Sequence, residues 1–66
     1  MNKEFLQGRE IIIEFHPVGH VMKVTAMDVQ SLTEIVIQGP VSAPQSTLKA
    51  NAVKRLEYVM KKQGLI

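Results

Sequence analysis

The chain has 66 residues, of which 45% are hydrophobic and 21% are charged, and it contains no cysteine. Its length leaves room for one small hydrophobic core, and its composition is that of a folded domain rather than a disordered segment. The lack of cysteine excludes a disulfide framework and thiolate metal ligands. The start of the chain is too polar for a signal peptide and no apolar run approaches the ~20 residues that span a bilayer, so we expect a cytoplasmic protein that does not bind membranes.

The net charge of +2 is unevenly distributed along the chain. Residues 1–42 contain three basic and five acidic side chains, whereas residues 43–66 contain five basic and one acidic. Positive charge that is confined to one segment is weak evidence for a nucleic-acid-binding protein.

The first eight residues show no sustained hydrophobic period, so we interpret residues 1–8 as an N-terminal arm before a single domain over residues 9–66. From Arg9 to His16 the odd positions are mostly apolar and β-branched, which predicts a strand. Pro17–His20 then has the composition of a turn, because proline fixes φ and glycine accepts a positive φ.

Val21–Asp28 predicts the central strand around which the sheet is built. Its alternate residues Met22, Val24 and Ala26 are apolar, while the residues between them are mixed. This alternation is typical of a strand that is buried on one face only.

The hydrophobic pattern also predicts how the first two strands pair. With a four-residue turn, Phe15 lies opposite Met22 and the alternating apolar sets of both strands fall on one face. The same register places Glu14 opposite Lys23 on the other face, where the opposite charges attract.

Thr33–Gln38 predicts a third strand, which the following Gly-Pro pair ends. Ser42 and Gln45 form a capping-box pattern that predicts the start of a helix, and Gly64 has the position of a C-terminal cap. The apolar stripe of this helix consists of Leu48, Ala52, Leu56 and Val59, and Val53 and Met60 widen it. The predicted fold is therefore α+β: a three-stranded antiparallel β-meander packed on one C-terminal α-helix (βββα, two layers).

Several short stretches between Glu14 and Lys62 match a known family of sequences. They are Phe15-x-x-Val18-Gly19, Lys23-Val24-Thr25-Ala26-x-Asp28, Thr33-Glu34, Gly39-Pro40 and Leu56-Glu57-Tyr58-Val59. On these residues the chain resembles a family of short uncharacterised bacterial proteins, a domain of unknown function. The resemblance implies one compact domain, and it implies no activity.

Residue types that act in catalysis or bind metals are present, but they do not stand in the spacing of a catalytic or metal-binding motif. His16 and His20 have a spacing seen in metal sites, yet we expect them as solvent-exposed residues of a turn. No serine lies in a nucleophile elbow, and the four glycines are scattered singly rather than in a phosphate-binding loop. We therefore expect no enzyme activity, no cofactor and no metal.

The predicted registers leave apolar side chains on the face of the sheet that points away from the helix. They align Ile12, Thr25 and Val36 in one row across the three strands, with Val21 and Met27 beside it. An apolar row of this kind predicts contact with a protein, either a partner or a second copy in a homodimer.

Two other interpretations of these surfaces stay open. The strands Ile11–Phe15 and Thr33–Gln38 would be the edges of the sheet, so pairing between edges is a second route to association. Alternatively, Phe5 and Leu6 of the arm cover the apolar row.

The predicted helix carries basic side chains that are candidates for contact with nucleic-acid phosphates. They are Lys54, Arg55, Lys61 and Lys62. Only Tyr58 offers an aromatic platform beside them, and the predicted outer sheet face is rich in glutamate. We therefore favour a protein-interaction function over nucleic-acid binding.

Overall fold

The computed structural model describes residues 2–66, with side chains from Lys3 onward. Within this part of the chain the elements are β1 (Asn2–Leu6), β2 (Arg9–Val18), β3 (Val21–Asp28), β4 (Glu34–Pro40) and α1 (Gln45–Lys62). The strands form one antiparallel sheet in the order β1-β2-β3-β4, and α1 packs on β3 and β4. The predicted α+β class, with an antiparallel sheet and a C-terminal helix, is confirmed.

The sheet has four strands, so the predicted number of three is wrong. Asn2–Leu6, which we expected to be an arm, forms the edge strand β1 and pairs with the first half of β2. Gln7 and Gly8 connect the two strands with φ values of 52° and 79°. Two consecutive positive φ values are the signature of the two-residue type I′ hairpin turn.

β2 and β3 pair two residues out of the predicted register, because the turn between them is shorter than we expected. Phe15 lies opposite Val24 rather than Met22. Gly19 takes a φ of 62°, which suits the first position of a type II′ turn, so that two residues replace the predicted four-residue turn Pro17–His20. A shift of two residues leaves each side chain on its predicted face.

The predicted charge pair between β2 and β3 is wrong as a consequence of this shift. Glu14 lies opposite Thr25, and Lys23 lies opposite His16. The Glu14 carboxylate is instead 3.7 Å from Nε2 of its own-strand neighbour His16. Between β3 and β4 the predicted register is confirmed, with Ala26 opposite Ile35.

The core lies between the inner face of the sheet and α1. Its buried apolar side chains are Ile11, Ile13, Met22, Val24, Ala26, Leu48, Ala52, Leu56 and Met60. The period-two alternation of β2 and β3 and the stripe of α1 therefore meet as predicted, except that Met60 rather than Val59 is the buried residue at the end of the stripe. Full burial of one large aliphatic side chain is worth about 1.5–3 kcal/mol, so this cluster supplies the main stabilisation of the domain.

The two ends of α1 differ in how well the sequence predicted them. Pro44 occupies the N-cap position without a side-chain hydrogen bond, so the predicted capping box is wrong: Ser42 lies two residues too early. At the other end Gly64 has a φ of 75°, as the C-terminal cap requires. The Leu65 amide donates to the Met60 carbonyl at 2.9 Å, which closes the helix and turns the chain back onto the core.

Candidate functional site

The face of the sheet opposite α1 carries an apolar strip that runs diagonally from one edge strand to the other. We call this set the outer strip: Phe5 of β1, Ile12 of β2, Thr25 and Met27 of β3, and Val36 of β4. Ile12 lies directly opposite Met27, and Thr25 lies directly opposite Val36. The two ends of the strip are open to solvent, since Phe5 is 69% exposed and Val36 is 50% exposed.

The structure brings four of the five predicted contact residues together, but not in one straight row. The register shift moves Ile12 two positions away from the pair Thr25 and Val36. Met27 now joins them, because it faces Ile12 across β2 and β3 and lies diagonal to Val36 across β3 and β4. The predicted row is therefore replaced by a diagonal.

Val21 lies apart from the outer strip. It sits at the hairpin end of the same face, directly opposite Val18 of β2. A polar row formed by His16, Lys23 and Gln38 crosses the sheet between Val21 and the strip. The structure therefore gives this face two apolar areas where the sequence predicted one.

The N-terminal segment extends the outer strip rather than covering it. Leu6 packs against the core on the inner face, while Phe5 lies on the outer face. The predicted edge at Ile11–Phe15 is also corrected for Ile11–Ile13, since β1 pairs with β2 from Arg9 to Ile13. Within the described residues the edge strands are β1 and β4.

Charged side chains border the outer strip. Lys3 and Glu10 lie on either side of it at the β1 edge, with 3.7 Å between Nζ and Oε2, and Glu34 lies at the β4 edge. Both members of the Lys3–Glu10 pair are substantially exposed, and an exposed ion pair is worth about 0–1 kcal/mol. Lys3 can therefore exchange this partner for another at little cost.

The four basic residues predicted to contact nucleic acid do not form one uniform band on α1. Arg55 and Lys62 lie against the Tyr58 ring, 5.3 Å and 5.5 Å from its centroid. Lys61 forms an ion pair of 3.8 Å with Glu57 on the neighbouring part of the helix surface. The result is a compact cluster of two cations and one aromatic ring beside a charge-balanced pair.

Lys54, the fourth of these residues, borders an open groove of about 400 Å³ between α1 and β1. Glu4 of β1 closes one side of the groove through an ion pair of 2.8 Å with Lys49. Glu57 and Val53 also line it, so its charges are balanced around a small apolar floor. The sequence did not predict this groove because β1, which forms one wall, was expected to be an arm.

A buried ion pair at one end of the inner face is the main polar feature that the sequence analysis missed. Asp28 is completely buried and accepts a hydrogen bond of 2.8 Å from Nη1 of Arg9. The Ser31 amide and hydroxyl donate to the same carboxylate oxygen at 3.0 Å and 2.6 Å. Arg9 also donates to the Leu65 carbonyl at 3.0 Å, so the cluster ties the end of the chain to the sheet.

The pKa of Asp28 reflects two opposing influences. Burial raises the pKa, but the hydrogen bonds from Ser31 and the positive charge of Arg9 outweigh it and hold the pKa below the ordinary value of 3.8. The carboxylate is therefore ionised at neutral pH. The other carboxylate oxygen, Oδ1, has no hydrogen-bond partner among the described residues.

The lowered pKa of Asp28 predicts a loss of stability in acid. Because the folded pKa lies below the unfolded value, the contribution of Asp28 is fully present above 3.8 and disappears as the pH falls through the folded pKa. The free energy of unfolding, measured from about pH 6 to pH 2, should fall more steeply for the wild type than for Asp28→Asn. The same pH dependence of unfolding in the wild type and in Asp28→Asn would contradict this assignment. So would a carbon-13 titration in which the pKa of the Asp28 carboxyl is not lowered.

The sequence does contain a signal for this cluster. Asp28 continues the alternation of Met22, Val24 and Ala26, and Arg9 continues the alternation of β2 toward its start. Both residues therefore fall on the inner face at the same end of the sheet, and a buried acid requires a buried or half-buried base.

The metal site that the spacing of His16 and His20 suggests has little support in the geometry. His16 lies in β2 and His20 in the turn, and both are exposed. Among the described residues, no three His, Asp or Glu side chains converge as a metal site requires. No helix in this part of the chain is long and apolar enough to cross a lipid bilayer.

The fold and its surfaces define a small α+β domain in which one helix covers one face of an antiparallel sheet. Residues 8–63 match the family described as "Domain of unknown function (DUF6898)", and the chain belongs to this family. The resemblance of the sequence to a domain of unknown function is thereby confirmed. Searches among curated proteins and among solved structures found no match.

Proposed function

We propose that this domain is a non-enzymatic protein-interaction module that binds a partner, or a second copy of itself, through the outer strip. The observation that carries this proposal is the diagonal of apolar side chains on the face opposite α1. α1 covers the inner face of the sheet, whereas Phe5 and Val36 remain largely exposed on the outer face. Apolar side chains that adjoin one another across four strands, with charges along the border, are typical of a contact surface.

The size of the domain supports the same conclusion. A chain of 66 residues buries only about 60% of the surface that its unfolded form exposes, so its single core provides modest stability. Covering the outer strip would bury further apolar surface at about 25 cal/mol per Å². Association would therefore stabilise the domain as well as carry its function.

Aspartate substitutions within the outer strip test this proposal. Ile12→Asp and Val36→Asp should each weaken self-association or partner binding at least about ten-fold, because a carboxylate at a contact centre must be desolvated. Sedimentation equilibrium measures self-association, and titration against a purified partner measures heterologous binding. Thermal unfolding of each variant, measured where it is monomeric, shows whether the fold persists.

Val41→Asp is the matched control for Val36→Asp. Val41 is 43% exposed, but it lies in the loop between β4 and α1 rather than in a strand of the sheet. Association should survive this change. If Ile12→Asp and Val36→Asp bind as tightly as the wild type, the outer strip is not the contact surface.

A second candidate function is nucleic-acid binding by α1, and the cluster of Arg55, Tyr58 and Lys62 is the observation that favours it. Its support is weaker because both cations already lie against the ring and Glu57 interrupts the neighbouring basic face. Retention of generic RNA or DNA at low salt should fall steeply as salt rises. Arg55→Glu with Lys62→Glu should abolish retention, and Lys54→Glu with Lys61→Glu should reduce it. If the wild type retains neither polymer, this function is dismissed.

A further inference from the structure

We infer that the protein which covers the outer strip is a second copy of this chain, related to the first by a two-fold axis that runs parallel to the strands between β2 and β3. This inference rests on the proposed function, since it specifies the partner of the same surface. It follows from the arrangement of charge and apolar side chains in one row of the sheet.

The row crosses all four strands at the centre of the outer strip. Lys3 of β1 lies opposite Ile12 of β2, Ile12 lies opposite Met27 of β3, and Met27 lies opposite Glu34 of β4. The row therefore has a cation at one edge, an anion at the other edge and two apolar side chains between them. Its charge changes sign about its midpoint.

A two-fold axis parallel to the strands makes this row complementary to itself. In a face-to-face pair the rotation places β1 of one copy over β4 of the other, and β2 over β3. Each Lys3 then faces Glu34 of the second copy, and each Ile12 faces Met27 of the second copy. Every contact occurs twice, so two ion pairs flank a central cluster of four apolar side chains.

The alternative two-fold axis, perpendicular to the strands, is disfavoured by the same charges. It would place each strand over its own counterpart, so that Lys3 would face Lys3 and Glu34 would face Glu34. Like charges that face each other across an interface oppose association. The distribution of charge therefore selects the parallel axis.

The ends of the sheet give a second, independent match. Phe5 and Leu32 are the most exposed large apolar side chains in the described part of the chain, at 69% and 68%. Both lie at the end of the sheet remote from the Gly19 turn, but Phe5 is on the β1 edge and Leu32 is in the loop that leads into β4. The parallel axis brings the Phe5 edge of one copy beside the Leu32 loop of the other.

The area of the face is sufficient for a specific but modest dimer. Four strands about 4.8 Å apart and about eight residues long, at about 3.3 Å per residue, give a flat footprint of about 500 Å² per copy. Two copies bury about 1,000 Å² by this measure, which is the lower limit for a biological interface. We therefore expect a dimer whose dissociation is visible on dilution.

Charge reversal at the two ends of the row tests the inference. Lys3→Glu and Glu34→Lys should each weaken the homodimer by roughly ten-fold, because two ion pairs become two repulsions. An equimolar mixture of the two variants should recover the affinity of the wild type, since each reversed charge then meets an opposite charge. The double variant K3E/E34K should recover it within a single chain. Sedimentation equilibrium at low salt measures all four samples.

Lys54→Glu on α1 is the matched control, because it makes the same charge change on the opposite layer and should leave the dimer intact. If the single variants dimerise like the wild type, or if mixing restores nothing, the two-fold inference is overturned. If the isolated wild type is monomeric but Ile12→Asp still abolishes binding to another protein, the inference fails while the proposed function stands. If Ile12→Asp changes neither self-association nor binding to another protein, both the two-fold inference and the proposed function fail.

Discussion

Arg9→Ala should destabilise the domain at neutral pH by about 3–5 kcal/mol. The substitution leaves the ionised carboxylate of Asp28 completely buried without its guanidinium partner, and it removes the hydrogen bond to the Leu65 carbonyl. Breaking a buried ion pair on one side costs about 3–5 kcal/mol. A chain of 66 residues has a total stability of roughly 3–10 kcal/mol, so this loss removes a large part of it.

Urea denaturation followed by circular dichroism measures this effect. Lys23→Ala, on the exposed side of the sheet, is the control and should change the free energy of unfolding by less than about 0.5 kcal/mol. The double variant Arg9→Met with Asp28→Leu should recover much of the loss, because it removes both charges and keeps the volume apolar. If Arg9→Ala is as stable as Lys23→Ala, the buried pair does not hold the sheet and the chain end together.

Leu56→Ala should destabilise the domain by about 2–5 kcal/mol, which is the second large effect. Leu56 is fully buried in the stripe of α1 that packs against β3 and β4, and its neighbours Ala52 and Met60 are also fully buried. The sheet beneath cannot collapse far into the space that the side chain leaves, because its strands are fixed by the hydrogen-bond ladder. The substitution therefore loses both the transfer free energy and the contacts around the cavity.

Tyr58→Ala provides the comparison within the same helix. Tyr58 is 52% exposed and contacts Arg55 and Lys62 rather than the core, so its removal should cost less than about 1 kcal/mol. Equal losses for the two variants in urea denaturation would contradict the assignment of the Leu56 face to the core.

The sequence alone predicts the parts of this fold where hydrophobic periodicity is strong. Val24 and Ala26 in β3, and Leu48 and Leu56 in α1, fall on the predicted faces because one buried face imposes a period of two on a strand and about 3.6 on a helix. The end of α1 at Gly64 was also predictable, since it depends on a local backbone conformation.

β1 could not be predicted from periodicity, because an edge strand of five residues has few core positions to fill. Its inward positions include Glu4, which pairs with Lys49, and Leu6, which packs against the core. A single apolar residue on the inward face cannot produce the period-two alternation that predicts a strand. The usable signal was the Gln7-Gly8 pair, which forms the hairpin turn to β2.

The outer strip shows how far residue faces can be predicted without the pairing register. Ile12, Met27 and Val36 lie on the predicted face, since a register error of two residues does not change faces. Which of them are neighbours depends on the length of the turn at Gly19. The row from Lys3 to Glu34 therefore became visible only with the true register and with β1 in place.

Zero-length carbodiimide cross-linking of a mixture of unlabelled and nitrogen-15-labelled chains tests the self-complementary outer face most directly. Within one chain the 3.7 Å contact between Lys3 and Glu10 is an internal positive control, whereas Lys3 and Glu34 are three strand spacings apart, about 14 Å. We predict a Lys3–Glu34 cross-link that joins a labelled chain to an unlabelled one. Cross-links from Lys3 to Glu10 alone, within single chains at every protein concentration, would contradict it.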